Sequence, residues 1–343
     1  MKAMILAGGM STRLYPLTRQ VPKPLVPVAG EAISAQILRY LRSYGIEDVA
    51  INLHYHADQI REEFGDGSRY GVRLHYLYEP ELMGSAGAVK QMEGFFAEGT
   101  FLVIGCDILS DIDLSQLIAF HRERKALASI ALYEAQDVEQ YGVVITAPDG
   151  RIVDFQEKPP KGTERSHLVN TAIYCFDPAI FKHIPAATFI DFGKDVFPAL
   201  QRQNAAFYGM PAPGAYWCDI GTPSEYRRAT KDALSGRLAL RGARARGVPS
   251  DAVLGAGVTI SGDVYVGDAV RVGAGTTIAG PSVIGAGARI GEGCRIARSI
   301  LWDDVVVGDG AQLENAIVGM HYEVAAGARL DGEIVANAEA VAG

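Results

Sequence analysis

The chain has 343 residues, of which 48% are hydrophobic, so it is long enough for two domains with sizeable cores. Its net charge of −8 and the lack of a basic stripe argue against nucleic acid or an anionic membrane as a partner. The four cysteines show no metal-ligand spacing, and no segment has the length of a membrane span or a signal peptide. We therefore expect a reduced, cytoplasmic protein.

The first predicted strand, residues 2–7, leads directly into a glycine-rich loop. Gly8 and Gly9 lack Cβ atoms, so backbone N–H groups can approach an anion closely there. Arg13 and Lys23, the latter between two prolines, can neutralise the charge of that anion. The loop matches neither the Walker pattern nor the dinucleotide-binding pattern. These residues predict a polyphosphate-binding loop that follows the first strand.

Residues 1–235 alternate predicted strands and helices. An amphipathic helix is predicted over 32–44, Asp113 is expected to cap a second helix, and Thr222 to Glu225 form a capping box. The pattern predicts an α/β fold with a Rossmann-like, mostly parallel sheet and helices on both faces, whose ligands bind beyond the carboxyl ends of the strands. The predicted strands are 2–7, 48–53, 72–78, 100–106, 128–134, 141–146 and 169–176.

The C-terminal region has a different period. An aliphatic residue recurs at every sixth position from Leu254 to Ile296, and the spacing resumes at Leu301 and again at Val318 after single five-residue steps. This hexapeptide repeat predicts a parallel β-helix over 251–343. The predicted domains are therefore 1–235 and 251–343, joined by a linker at 236–250. The linker is rich in alanine, arginine and glycine, and its arginines are interpreted as a solvated face: Arg237, Arg241, Arg244 and Arg246.

The segment from Gly8 to Pro24 resembles the G-G-x-G-T-R-L-x-P-x-T-x-x-x-P-K-P signature of the sugar-1-phosphate nucleotidyltransferases. Ser11 stands where that family usually has glycine. The hexapeptide repeat resembles the left-handed β-helix appended to many members, so the resemblance covers nearly the entire chain. It implies transfer of a nucleotidyl group from a nucleoside triphosphate to a sugar-1-phosphate, with Arg13 and Lys23 as catalytic residues. It also implies nucleotide binding by the residues of the loop: Leu6, Ala7, Gly8, Gly9, Ser11 and Thr12.

The resemblance further implies a Mg²⁺ site. The attacking phosphate is largely deprotonated at neutral pH, so catalysis rests on positioning and charge neutralisation rather than on a general base. Asp107 ends an apolar strand and resembles the family's Gly-Asp motif, although Cys106 precedes it. Asp219 lies in a segment that matches W-x-D-x-G-T-P. The two carboxylates are the expected metal ligands. The alternative is a helix cap for Asp107 and a turn aspartate before a capped helix for Asp219.

Four residues are expected to contact the sugar phosphate. Glu157 and Lys158 resemble the family's E-K-P motif, and Gly142 lies in a Y-G-V segment whose glycine contacts the sugar. Asn170 resembles the asparagine of the N-A-G-I-Y strand, but Thr171-Ala172 replaces Ala-Gly, which implies a slightly altered sugar pocket.

The segment from Glu79 to Gly87 is expected to bind the base, through Glu79, Gly84 and Ser85. Guanine presents two adjacent N–H donors, which an ionised carboxylate can accept together, so Glu79 favours GTP. The Gly84-Ser-Ala-Gly87 run resembles the mannose-1-phosphate guanylyltransferases, which makes mannose-1-phosphate the favoured sugar. A strand-end glutamate that points to water is the alternative interpretation of Glu79.

Several other functions stay open at this stage. The enzyme could use UTP, dTTP or ATP with glucose-1-phosphate or another sugar or cyclitol phosphate. The chain could instead be a non-catalytic regulatory subunit, although the catalytic and metal-binding candidates are all present. The β-helix could transfer acyl groups, but His321 is the only histidine beyond His183. The simplest role for the β-helix is homo-oligomerisation through its open ends and flat faces.

Overall fold

The computed structural model describes residues 1–241 and 247–337. The chain forms two compact units, and each unit is built from two segments that are not contiguous in sequence. The first unit contains Met1–Gly9 and Ile37–Asp219. The second unit contains Met10–Gln36 and the described residues from Ile220 onward. In the described part of the chain no helix is both long enough and apolar enough to span a bilayer.

The region before Ile220 alternates strands and helices, as predicted. Short 3₁₀ turns occur at Thr12–Leu14, Leu17–Arg19, Lys23–Leu25, Ser68–Tyr70 and Pro178–His183, and a π-helical turn at Phe192–Val196. In chain order, the longer elements and the strands are β1 (Lys2–Leu6), β2 (Pro27–Val28), β3 (Glu31–Ala32), α1 (Ile33–Ser43), β4 (Asp48–Leu53), α2 (Ala57–Phe64), β5 (Arg73–Tyr78), α3 (Gly84–Gln91), α4 (Glu93–Phe96), β6 (Phe101–Gly105), β7 (Ile108–Ser110), α5 (Leu114–Glu123), β8 (Ala128–Glu134), β9 (Gly142–Thr146), β10 (Ile152–Glu157), β11 (Leu168–Phe176), α6 (Phe197–Arg202), β12 (Phe207–Pro211) and β13 (Trp217–Asp219).

A nine-stranded sheet forms the centre of the first unit. Seven strands follow the order β10-β9-β11-β6-β1-β4-β5, and β8 pairs with β11 and β12. Neighbouring strands are parallel throughout the order β6-β1-β4-β5, which confirms the predicted α/β class. The sheet is mixed, because β11 runs antiparallel to β6, β8 and β9. Strands β9 and β10 are also antiparallel, since the connection between them is too short for a crossover.

Aromatic side chains fill one side of this sheet. Phe176 stacks on Phe192 with ring centroids 4.9 Å apart, and Phe197 lies 5.0 Å from Phe207. All four rings are buried, and burial of one such side chain contributes roughly 1.5–3 kcal/mol. The core therefore ties β11 and β12 to the segment that follows residue 190.

The second unit contains α7 (Pro223–Ser235) and the predicted parallel β-helix. Thr222 caps α7 by accepting a hydrogen bond from the backbone N–H of Glu225, and Asp113 caps α5, both as predicted. In chain order, the β-helix strands are β14 (Val253–Leu254), β15 (Thr259–Ser261), β16 (Val264–Val266), β17 (Arg271–Val272), β18 (Thr277–Ala279), β19 (Ser282–Ile284), β20 (Arg289–Ile290), β21 (Arg295–Ala297), β22 (Ile300–Leu301), β23 (Val306–Val307), β24 (Gln312–Glu314), β25 (Ile317–Val318), β26 (Glu323–Val324), β27 (Arg329–Asp331) and β28 (Ile334–Val335).

Three five-stranded parallel sheets form the sides of the β-helix: β14-β17-β20-β23-β26, β15-β18-β21-β24-β27 and β16-β19-β22-β25-β28. The aliphatic residues of the hexapeptide repeat stack in register, as Ile278 does on Ile296 and Ile296 on Leu313. These side chains form a separate core, which confirms the predicted left-handed β-helix class. The predicted boundaries at 235 and 250 stay predictions, and Arg244 and Arg246 lie outside the described residues.

Burial of His121 on α5 makes stability depend on pH. This side chain is 2% exposed, its Nδ1 lies 3.0 Å from Ser129 Oγ, and burial lowers its pKa to about 4 from 6.5. The unfolded chain therefore takes up this proton at higher pH than the folded chain. We expect full stability above about pH 6.5 and a loss of about 2–3 kcal/mol as the pH falls towards 4. Urea denaturation across this range measures the slope.

The variant His121→Gln should flatten that slope. The matched control is His321→Gln, because the His321 side chain is 65% exposed and its replacement should leave the slope unchanged. An unaltered slope in His121→Gln would show that other groups cause the pH dependence.

Candidate active site

A cleft of about 250 Å³ lies in the first unit beyond the carboxyl ends of β1, β4 and β5. This is where a parallel sheet places its ligands. The cleft brings together most of the predicted nucleotide-binding residues with three residues that the sequence did not single out. Its lining consists of Leu6, Gly8, Gly9, Asn52, Glu79, Leu82, Gly84, Ser85 and Phe189. Ala7, also predicted, is buried between Leu6 and Gly8.

A buried hydrogen-bond network connects the glycine loop to Glu79. The Asn52 side chain accepts from the backbone N–H of Ala7 at 2.8 Å and donates to Glu79 Oε2 at 2.6 Å. Glu79 Oε1 accepts from the backbone N–H of Met83 at 3.2 Å and from Gln91 Nε2 at 3.3 Å. Glu79 is 1% exposed, so it does not point to water. Three donors already occupy its carboxylate, which leaves capacity for about one more.

Gly8 is confined by this network. A Cβ atom on Gly8 would lie 2.8 Å from Asn52 Nδ2 and 2.9 Å from Leu82 Cδ2. A Cβ on Gly9 would meet nothing within 4 Å. The first glycine therefore allows the chain to pass over Asn52, and the second borders open space in which a ligand can approach the backbone.

Gly84 and Ser85 are fixed against the segment around residue 190. Gly84 has a φ of +77°, and a Cβ there would lie 2.4 Å from the carbonyl oxygen of Ile190. Ser85 Oγ donates to Asp191 Oδ2 at 2.8 Å and accepts from the backbone N–H of Phe192 at 2.9 Å. This wall of the cleft is therefore rigid, whereas Phe189 beside it is 63% exposed.

The predicted sugar-phosphate residues meet at one end of β9, β10 and β11. Gly142 pairs with Glu157 in the strand register, and a Cβ on Gly142 would lie 3.3 Å from Glu157 Oε2 and 3.9 Å from Asn170 Cβ. The backbone N–H of Lys158 donates to the carbonyl oxygen of Tyr141 at 3.1 Å. Glu157 and Lys158 are exposed. The four residues thus form one cluster with an accessible carboxylate and ammonium group.

Tyr174 adds a buried hydroxyl near this cluster that the sequence did not reveal as a site residue. Burial raises its pKa, as do the negative charges of Asp191, Asp107 and Glu157, whereas a hydrogen bond with Asn170 lowers it. Tyr174 therefore stays protonated at neutral pH and lies within the electrostatic reach of all three carboxylates. Tyr174 ends the segment that resembles the N-A-G-I-Y strand, but its burial and its neighbours depend on strand pairing, which that motif does not specify.

Asp107 and Asp219 come close together on a two-stranded sheet. Strands β7 and β13 are antiparallel, with Asp219 opposite Ile108, and Asp107 directly precedes that isoleucine. A Cβ on Gly105 would lie 2.9 Å from Asp107 Oδ1, so the glycine leaves room for this carboxylate. The described residues contain no group of three or more histidine, cysteine, aspartate or glutamate side chains able to hold a metal. Two carboxylates suit Mg²⁺, which keeps water and phosphate oxygens as its other ligands.

The remaining predicted residues lie in the second unit. Ser11 precedes the Thr12–Leu14 turn, which carries the exposed Arg13. Ser11 has a φ of +53°, and its carbonyl oxygen accepts from Thr18 Oγ1 at 2.8 Å. Lys23 begins the Lys23–Leu25 turn and is largely buried.

Two of the departures from the family motifs occupy left-handed backbone. Ser11 and Ala172, which replace glycines of the family motifs, have φ values of +53° and +56°. The side chain of Asn170 accepts from the backbone N–H of Ala172 at 2.9 Å, which stabilises this conformation. The altered residues therefore place a side chain in a backbone region that favours glycine.

Comparison with known proteins assigns the chain to a family. Residues 2–236 match the nucleotidyl transferase family, and residues 248–343 match the LbH domain of the EIF2B epsilon subunit. The chain is 35% identical to a UTP–glucose-1-phosphate uridylyltransferase from Synechocystis, over 79% of this chain and 75% of that protein. It is 34% identical to a mannose-1-phosphate guanylyltransferase from Mycobacterium tuberculosis, over 79% and 76%. A solved Bacillus anthracis structure, assigned as a glucose-1-phosphate thymidylyltransferase, matches with a TM-score of 0.60 and 25% identity over 67% of this chain and 94% of that one.

The chain therefore belongs to the sugar-1-phosphate nucleotidyltransferase family. The named relatives differ in their nucleotide, so family membership alone leaves the base and the sugar undecided.

Gly8 and Gly9 provide a matched test of the cleft. We expect Gly8→Ala to lower the free energy of unfolding by about 1–3 kcal/mol, because the new methyl displaces Asn52 and leaves buried polar groups unpaired. Gly9→Ala should change it by less than about 0.5 kcal/mol. Thermal unfolding of both variants without ligand makes the comparison. Equal effects would mean that Asn52 tolerates the displacement.

Ser11→Gly and Ala172→Gly should each stabilise the protein by about 0.5–1 kcal/mol. Glycine removes a left-handed backbone strain of about 1–2 kcal/mol in the folded state. Part of this gain is offset because glycine raises the conformational entropy of the unfolded chain. The control is Ala119→Gly in the exposed middle of α5, which should instead cost about 0.5–1 kcal/mol. Denaturant titration of the three variants measures the difference, and a loss of stability at all three sites would contradict the strain argument.

Proposed function

We propose that this protein transfers a guanylyl group from GTP to mannose-1-phosphate, giving GDP-mannose and pyrophosphate. The observation that carries the proposal is the cleft in which the signature glycines and the predicted base-binding segment form one lining. A glycine-lined cleft of about 250 Å³ offers room for the base of a nucleotide, and the cluster of Gly142, Glu157 and Asn170 in the same unit offers polar groups for a sugar. We further propose that the protein acts in the cytoplasm.

In the proposed reaction, an oxygen of the sugar phosphate attacks the α-phosphorus of GTP. The new P–O bond forms as the bond between the α-phosphorus and the bridging oxygen breaks, and pyrophosphate leaves. The backbone N–H groups near Gly9, with the cations of Arg13 and Lys23, bind the triphosphate and neutralise its charge. Asp107 and Asp219 would hold Mg²⁺, which supplies further charge neutralisation when bound. Lys158 binds the phosphate of the sugar.

Glu79 is compatible with guanine. Its buried carboxylate retains about one acceptor site, fewer than the two that the sequence argument requires. A guanine N–H donor complements that site, as the N3–H donor of uracil also does, so the preference for guanine rests on the resemblance of the Gly84–Gly87 run to the guanylyltransferases. Uridylyl transfer is the competing function, because the Synechocystis relative carries that name.

The exposed first coil of the β-helix supports a homo-oligomer. Val253 and Leu254 on β14 are 58% and 41% exposed, and such apolar residues at an open end favour contact with another copy.

A matrix of nucleoside triphosphates and sugar-1-phosphates tests this function through pyrophosphate release. We expect kcat/KM to be greatest for GTP with mannose-1-phosphate. Glu79→Gln should reduce kcat/KM for GTP at least tenfold and improve UTP relative to GTP, because an amide both donates and accepts. A wild-type preference for UTP, dTTP or ATP would contradict the guanylyl assignment. Absence of pyrophosphate release with every pair would support a non-catalytic role.

Asp107→Asn and Asp219→Asn should each lower kcat by about 10²-fold or more in the same assay, since each removes one negative ligand of the metal. The control is Asp113→Asn. Asp113 is a half-buried helix cap, and the asparagine amide still caps the helix, so the kcat of this variant should be unchanged.

A further inference from the structure

The signature segment, defined here as residues 10–36, shares a compact unit with the β-helix. This segment carries Arg13 and Lys23, the two cations assigned to the triphosphate. The β-helix begins more than two hundred residues later in the chain. A segment needed for catalysis is therefore packed with a domain whose simplest role is assembly.

One side of the β-helix is covered within this unit. On the sheet β16-β19-β22-β25-β28, side chains alternate between the interior and the outer surface. The outward residues of this sheet are apolar and buried: Tyr265, Val283, Ile300 and Ile317. Most outward residues of the other two sheets are polar and exposed, among them Arg271, Arg289, Thr277, Arg295 and Gln312, with Val253 and Val306 as apolar exceptions. The contrast identifies the first surface as a docking face already occupied by this chain.

Tyr226 on α7 connects this face to the signature segment. Its hydroxyl accepts a hydrogen bond from Trp302 Nε1 at 2.9 Å and donates one to the carbonyl oxygen of Pro27 at 2.6 Å. Tyr226 and Trp302 are 0% and 1% exposed. Pro27 follows Lys23 by four residues, and between them the backbone N–H of Val26 donates to the carbonyl oxygen of Lys23. The chain of contacts thus runs from the β-helix to the turn that carries the catalytic lysine.

Two neighbouring contacts strengthen the connection. A Cβ on Gly30 would lie 2.2 Å from Tyr265 Oη, so the signature segment passes directly over the outward face of the β-helix. Arg227, next to Tyr226, donates from Nη2 to the carbonyl oxygens of Asn315 and Gly332 at 2.9 Å each. These contacts fix α7 and the signature segment on the same surface.

We propose that the β-helix positions the signature segment for catalysis, with Tyr226 and Trp302 as positioning residues. This inference rests on the proposed nucleotidyl transfer, in which charge neutralisation by Arg13 and Lys23 depends on their placement. Loss of the Tyr226 hydroxyl leaves the Trp302 N–H and the Pro27 carbonyl without their buried partner, and such groups move to recover hydrogen bonds. The turn at Lys23 moves with them.

The test compares Tyr226→Phe with Thr276→Val. The hydroxyl of Thr276 also donates to a carbonyl, that of Gly291 at 2.8 Å, and accepts from a backbone N–H, that of Cys294 at 3.0 Å. Both variants therefore remove one buried hydroxyl with the same two roles, but Thr276 has its partners within the β-helix. We expect similar decreases in melting temperature. Only Tyr226→Phe should lower kcat at least tenfold with the substrate pair preferred by the wild type, while KM for the sugar phosphate stays within about twofold.

Hydrogen–deuterium exchange of residues 10–36 supplies a readout that does not need activity. Exchange there should accelerate in Tyr226→Phe and remain at the wild-type rate in Thr276→Val. Wild-type kcat and wild-type exchange in folded Tyr226→Phe would overturn the inference, as would equal losses in both variants. A wild-type protein without pyrophosphate release would instead refute the proposed function, and the exchange comparison would still decide whether the β-helix positions the segment.

Discussion

The cleft depends on one buried amide, that of Asn52. Its oxygen accepts from the backbone where β1 ends, and its nitrogen donates to Glu79, so a single side chain connects the predicted phosphate loop to the predicted base-binding segment. Burial strengthens these hydrogen bonds, because no water competes for the donors and the local dielectric is low. Gly8 and Leu82 then pack around the amide. The geometry of the cleft therefore follows from a residue that carries no reactive chemistry of its own.

The sequence was most informative where structure depends on local spacing. The hexapeptide repeat predicts the β-helix because the inward residues recur at a six-residue spacing. The bounds of β4 and β8 were also predicted, since both strands begin and end where the hydrophobicity of the sequence changes. Strands β10 and β12 were missed: β10 places an aspartate between apolar residues, and β12 contains a glycine and ends at a proline. Their pairing with distant strands stabilises them, and this pairing cannot be inferred from the local sequence pattern.

The candidate site shows the same limit. The rule that ligands bind beyond the carboxyl ends of parallel strands predicts that Gly8 and Glu79 lie near each other. The burial of Glu79 could not be predicted, since it depends on Asn52 and Gln91, which come from other elements. Ser11 and Ala172 illustrate a third case. The sequence shows that glycine is replaced, but only the backbone angles show that the replacing residues adopt a left-handed conformation.

The division of the chain into discontinuous units has a consequence for biosynthesis. The signature segment leaves the ribosome well before its contacts do, because Tyr226, which contacts Pro27, follows Pro27 by 199 residues, and Trp302 comes another 76 residues later. At about 5–20 residues per second, the segment waits roughly 10 to 40 seconds for Tyr226. During that interval Leu14, Leu17 and Val26, all buried in the finished protein, lack their final environment. The signature segment is therefore synthesised long before the residues that contact it in the folded protein.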